Sequence, residues 1–232
     1  MAQLTIRAAD GGSFESYLAT PKGGRGPGVV VIQEIFGVNA VMRGICDALA
    51  QQGYTAVCPD LFWRIEPGVQ LTDRSDAEWK RAFELYQAFD VDKGVADLKA
   101  ALGALRTHSA CTGKVGSVGY CLGGKLAFLM ATHSDADCSV GYYGVGIEGL
   151  VHEAKQIEKP LLLHIAEKDQ YVPPPAQEKI KAGLEGNALV TLYSYPGADH
   201  AFAREGGAHY DRAAAELANK RSAEFFRRHL GS

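Results

Sequence analysis

Absences narrow the field first. No apolar run approaches the ~20 residues needed to cross a bilayer. The opening Met1-Ala2-Gln3-Leu4-Thr5-Ile6-Arg7 has no long apolar core of a secretory signal. A net charge of -3 leaves no basic footprint for nucleic acid and no polybasic stretch for anionic lipid. The five cysteines (46, 58, 111, 121 and 138) form no CxxC pair, which argues against a disulfide framework and a zinc ribbon. Four of them read as small buried hydrophobes in a reducing compartment, so a cytoplasmic location is expected. Internal repeats, low-complexity segments and linkers are missing too. What remains is 47% hydrophobic and 22% charged over 232 residues, which fits one domain, residues 1–232, with a single sizeable core. No metal or organic cofactor and no partner beyond a small molecule are expected, and the chain is expected to be a monomer.

From residue 29 onward, short apolar runs alternate with helical patterns. Val29-Val30-Val31-Ile32, behind Pro27-Gly28, reads as a strand buried on both faces. A helix is predicted at about 39–52, closed by Gly53, and a strand follows at Tyr54–Cys58. Residues 61–75 have mixed character and read as a loop near the mouth of a site. Helices are predicted at about 76–89, 92–107, 122–133, 176–183 and 208–230. Strands are predicted at Lys114–Tyr120, Ser139–Tyr143, Leu161–Ala166 and Leu189–Tyr195, with an opening hairpin near Thr5–Ala8 and Ser16–Ala19. Such alternation implies an α/β architecture, a mostly parallel central sheet of about eight strands with helices on both faces. Ligands in open sheets of this type sit beyond the carboxyl ends of the strands. The chemistry should therefore follow the strands.

It does. Gly119-Tyr120-Cys121-Leu122-Gly123-Gly124 joins a buried strand to a helix. The pattern is a nucleophile elbow with cysteine in place of serine. Side chains at Gly119 or Gly123 would collide with neighbouring backbone in so tight a bend, while the central residue is thrust out above the sheet. The helix N-terminus behind Cys121 favours a thiolate. The same stretch almost fits a phosphate-binding loop through Gly119-x-x-x-x-Gly124-Lys125. The next residue, however, is Leu126, where magnesium needs a hydroxyl.

This architecture runs nucleophile, acid, histidine in chain order. His200, in Pro196-Gly197-Ala198-Asp199-His200, follows the last strand and is placed to take the proton from Cys121. His164 lies inside a strand and reads as a core residue, and the other histidines fall near helix ends or on helix surfaces. The orienting acid is expected at Asp169, just after the strand Leu161–Ala166; Glu167 and Asp199 are the competing carboxylates. Glu34, at the end of an apolar strand, is either a solvated loop charge or a carboxylate that tunes the thiol. The amides of Ile35 and Leu122 are the natural oxyanion donors here.

At these residues the chain resembles the dienelactone hydrolase (carboxymethylenebutenolidase) family of α/β-hydrolases. The matching blocks are Gln33–Asn39, Gly53–Leu61, Gln87–Asp90, Gly119–Gly124, Gly141–Gly146 and Gly197-x-x-His200-x-Phe202-x-Arg204. The resemblance implies a single-domain α/β-hydrolase fold, with Cys121, His200 and Asp169 as the triad and Glu34 activating the thiol. It also implies a substrate carboxylate held by two arginines and a serine. Only Arg204 is retained; the other arginine falls on Trp79 and the serine on Ala201. Arg81 lies roughly 200° around the helix from Trp79 and is no simple substitute. Arg64 from the loop is a candidate replacement, and Tyr86, Tyr143, Phe36 and Trp79 are expected to line the pocket.

A thiolate is a better leaving group than an alkoxide, so attack on an ordinary ester tends to reverse. An enol lactone expels a stabilised enolate, and collapse goes forward. The expected activity is hydrolysis of a dienelactone-like enol lactone to a maleylacetate-type product. The alternatives are a thiol esterase acting on other activated esters, a non-catalytic binding member of the fold, and the near-miss phosphate loop.

Overall fold

The computed structural model describes residues 2–231. Its eight strands make one mostly parallel sheet, and by internal contacts the chain divides into two compact units meeting at residue 116.

In the first unit, β1 (Ala2–Arg7) and β2 (Ser13–Ala19) form an antiparallel hairpin. β2 pairs antiparallel with β4 (Thr55–Pro59), which pairs parallel with β3 (Gly26–Ile32). β3 is buried at every residue, as its unbroken apolar run requires. Helix α1 (Ala40–Gln51) starts where the Asn39 side chain accepts from the Met42 N–H, and Gly53, at φ 97°, turns the chain away. Helix α2 (Asp76–Ala88) opens with a capping box: Ser75 accepts from the Glu78 N–H, and the Glu78 carboxylate accepts from the hydroxyls of Ser75 and Thr72. Asp90 caps α3 (Val91–Thr107) in the same way through Lys93 N–H. α1 and α3 pack on β3 and β4.

Strand β5 (Cys111–Tyr120) runs from the first unit into the second. There β5, β6 (Ser139–Tyr142), β7 (Leu161–Ala166) and β8 (Val190–Tyr195) lie parallel and in sequence order. Helix α4 (Leu122–His133) packs on β6 and α6 (Arg212–Leu230) on β7, and α5 (Pro174–Leu184) lies between β7 and β8 in sequence. Two differences from the sequence expectation have local causes. Short 3-10 helices at Ile147–Gly149 and Val151–Gln156 are too brief to show a helical period. The last helix begins at Arg212 rather than near 208, because Asp211 is the residue that caps it, accepting from Ala214 N–H at 3.0 Å. No helix among the described residues is long and apolar enough to cross a membrane.

Candidate active site

The four parallel strands of the second unit end on one edge, and the segments after them carry Cys121, Tyr143, Asp169 and His200. Cys121 has φ 55° and ψ -112°, a strained conformation for a residue with a side chain. Close packing imposes the bend. A Cβ built on Gly119 would lie 1.9 Å from the carbonyl oxygen of Gly123, and one on Gly124 would lie 2.4 Å from that of Tyr142. Only glycine allows either approach. The Cys121 N–H donates to Tyr142 O at 3.1 Å, and its own carbonyl accepts from Gly124 N–H at 3.0 Å, so the backbone is pinned on both sides. The thiol stands at the start of α4. First-turn amides there lack partners within the helix and favour negative charge.

His200 follows β8 through a turn at Pro196-Gly197, and Lys168 N–H ties that loop to the one after β7 by donating to Ala198 O at 2.9 Å. The imidazole Nδ1–H donates to Asp169 Oδ2 at 2.7 Å, with both side chains almost sealed from water. Burial keeps such a charge-assisted bond strong. The other carboxylate oxygen of Asp169 accepts from Tyr171 N–H at 2.8 Å. The Cys121 sulfur acts on the same ring electrostatically. Burial, the largest influence on His200, pushes its pKa down. A negative sulfur at Cys121, with the bond to Asp169, outweighs burial and raises it to about 10. Asp199 plays another part. It accepts from the backbone N–H of His200 at 2.7 Å and pairs with His209, so it does not orient the ring.

His164 is occupied by the core. Its two ring nitrogens bond to Tyr195 Oη at 2.7 Å and Ser222 Oγ at 2.9 Å, and Ser222 continues to Tyr142 Oη. Burial, aided by the Arg221 charge, pushes its pKa from 6.5 down to about 3. The unfolded chain binds a proton that the native state refuses. This contribution to stability is therefore whole above pH 6.5 and lost as pH falls toward 3. Each pH unit below 6.5 costs up to about 1.4 kcal/mol. Between about pH 7.5 and pH 5, denaturant unfolding should reveal a loss of roughly 2 kcal/mol from this group. That slope should flatten in His164→Asn; an equally steep slope in the variant would assign the acid sensitivity elsewhere.

These distances can be set beside known proteins. The sequence matches the dienelactone hydrolase family over residues 14–230. The chain belongs to this family. A protein of Azospirillum brasilense is 57% identical over the full length of both chains. The carboxymethylenebutenolidase of Pseudomonas putida is 42% identical, covering 96% of this chain and 94% of its own. A crystal structure from Klebsiella pneumoniae superposes with a TM-score of 0.85 at 30% identity, covering 97% of each chain. The protein is thus a hydrolase of ester bonds with the α/β-hydrolase fold.

The other residues expected from membership of the dienelactone hydrolase family fall as follows. In the second unit, Leu122 opens α4, Tyr143 directs its ring at His200, and Arg204 is buried two residues beyond Phe202. In the first unit, Glu34 and Ile35 are buried just past the end of β3. Phe36 meets the edge of Trp79 at 5.0 Å, Trp79 stacks on Phe83, and the Trp79 indole N–H donates to Asp73 O. Tyr86 is half-buried on α2. Arg64 is not available as a replacement anion receptor. Its guanidinium is shared between Asp97, which takes two bonds at 2.8 and 2.9 Å, and Asp10, which takes two more. Arg81 is likewise paired, with Glu66 and Glu84. Sequence reasoning missed Tyr171, whose ring meets His200 edge-on at 4.9 Å. The only available signal was its place two residues after Asp169.

Proposed function

We propose that the protein opens an enol lactone of the dienelactone type through a thioester on Cys121. The observation that carries this reading is the buried bond from Asp169 to His200 on the same sheet edge that presents a thiol on a strained bend. The Cys121 sulfur attacks the lactone carbonyl carbon, and the carbonyl electrons move onto oxygen. The first-turn amide of Leu122 steadies the oxyanion. As the electrons return, the ring C–O bond breaks and the enolate leaves, taking from His200 the proton that the thiol had given up and ending as a ketone. His200 then takes a proton from water, hydroxide adds to the thioester, and the thiolate departs. Asp169 keeps the imidazole in the tautomer with Nδ1 protonated throughout. Glu34 is assigned to activating the thiol, as the family resemblance implies. Arg204 is assigned to the substrate's carboxylate.

Leaving-group chemistry gives the test. Enol and aryl esters should turn over, and alkyl esters and amides should be slower by roughly 100-fold or more, because the intermediate returns the sulfur when the other group leaves poorly. Steady-state assays on matched substrates check this, and brisk hydrolysis of peptides or alkyl esters would remove the argument for a thiol. A second reading is favoured by Ala201 and Trp79, which replace a serine and an arginine: the enzyme prefers neutral activated esters. Comparing acidic and neutral enol lactones separates the two, since a kcat/KM preference for the neutral one rejects the carboxylate role of Arg204.

A further inference from the structure

His200 is held by more than its carboxylate. Two tyrosine rings meet the imidazole edgewise, Tyr143 at 5.2 Å and 62°, and Tyr171 at 4.9 Å and 75°. They differ in setting. Tyr143 is buried, sits at φ 37°, and donates its N–H to His164 O at 2.8 Å, so it is part of the sheet edge. Tyr171 is 38% exposed, far more open than the 5% of His200 or the 3% of Asp169. An exposed aromatic ring with no role would be free to rotate into solvent. This one is anchored at its base, because its N–H is the donor to Asp169 Oδ1 while Oδ2 of the same carboxylate takes the imidazole. One residue thus contacts both the base and the group that orients it. Its surroundings agree: burial pushes the Tyr171 phenol up, and negative charges at Cys121, Asp169 and Asp199 push it further, against the opposing charge of Arg204.

We propose that Tyr171 is a positioning residue for the general base, its ring forming the outer half of an aromatic clamp whose inner half is Tyr143. The inference rests on the reading of Cys121 and His200 given above. The imidazole accepts from two donors in turn, the thiol during acylation and water during deacylation. The carboxylate bond fixes one end of the ring but leaves it free to tilt about the axis of that bond. A ring at van der Waals distance on the open side limits that tilt, and small errors in alignment of a general base are costly. Edge-to-face is a preferred arrangement of neighbouring aromatic rings. The aromatic ring matters here, and the hydroxyl does not.

The test compares Tyr171→Ala, Tyr171→Leu and Tyr171→Phe with the parent on an aryl ester, alongside Cys121→Ala. Expected is a fall in kcat of about 10-fold in Tyr171→Ala and Tyr171→Leu with KM little changed, recovered mostly in Tyr171→Phe. The acid limb of the kcat profile should move in the first two variants and return in the third. Leucine keeps an apolar body over the loop, so it remains informative if alanine loosens the fold. Unchanged kcat in Tyr171→Leu, or a rise in KM alone, overturns the clamp. So does a Tyr171→Phe as slow as alanine, which would put the work on the hydroxyl. If Cys121→Ala retains activity, the underlying reading fails instead, and the two failures are told apart.

Discussion

Replacing Cys121 with alanine should lower kcat/KM for an enol lactone by at least about 1,000-fold, leaving the melting temperature almost unchanged. The substitution deletes the atom proposed to form the thioester. The imidazole, its carboxylate and the helix N-terminus remain, and these support only slow direct attack by water. Little packing is lost, because the thiol lies at the rim of the bend with 9% of the residue accessible. The same variant carries a second signature. A negative sulfur is the strongest of the influences raising His200, so its removal should let burial prevail and bring the imidazole pKa down. Titration of the His200 ring proton by NMR should show this in the variant. The sign also appears in stability. In the parent, the protonated ring contributes fully below pH 6.5, and the contribution fades only as pH rises through about 10. In the variant it fades at lower pH. An alanine enzyme that still opens the lactone would remove cysteine from the mechanism.

Gly119→Ala should be among the most damaging single methyl additions to the described residues. The added carbon would lie 1.9 Å from Gly123 O, 2.3 Å from its carbonyl carbon and 3.0 Å from its Cα. All three are backbone atoms in the first turn of α4, so no flexible side chain can give way. Relief requires shifting the helix off the strand or unbending Cys121, at a cost above about 4 kcal/mol. For a chain of this size that lowers the melting temperature by roughly 10 °C or more, if the protein accumulates at all. Gly103→Ala is the matched control. Gly103 is exposed inside α3 with no atom near the added carbon, and alanine there should stabilise by about 1 kcal/mol. Thermal melts of both variants settle the matter; comparable melting temperatures would mean that the close approach at the bend does not govern stability.

Much of this was legible from residues alone, for physical reasons. β7 and α4 were placed to the residue, because a buried run flanked by turn residues or glycines has few other solutions. The meeting of Asp169 with His200 was legible because parallel strands force the loops at their carboxyl ends together. Pairings between distant residues were not. Arg64 looked like a spare cation in a loop, yet its partners Asp10 and Asp97 stand 54 and 33 positions away. Nothing in the sequence singled out Tyr171, because its contact with a ring 29 positions later depends on how two turns fold back. The start of α6 was misjudged by four residues. Ala208-His209-Tyr210 suits a helix as well as the true first turn does, and only the Asp211 side chain marks the boundary.

Among the described residues, three that bear side chains adopt left-handed backbone angles: Cys121, Tyr143 and Ala201, following β5, β6 and β8. Each such bend is upheld by its neighbours and would relax by about 1–3 kcal/mol if they let go. Catalytic competence is therefore more fragile than the fold that carries it. On warming, these corners would unwind while the sheet stays intact, and the enzyme would fall silent before it melts.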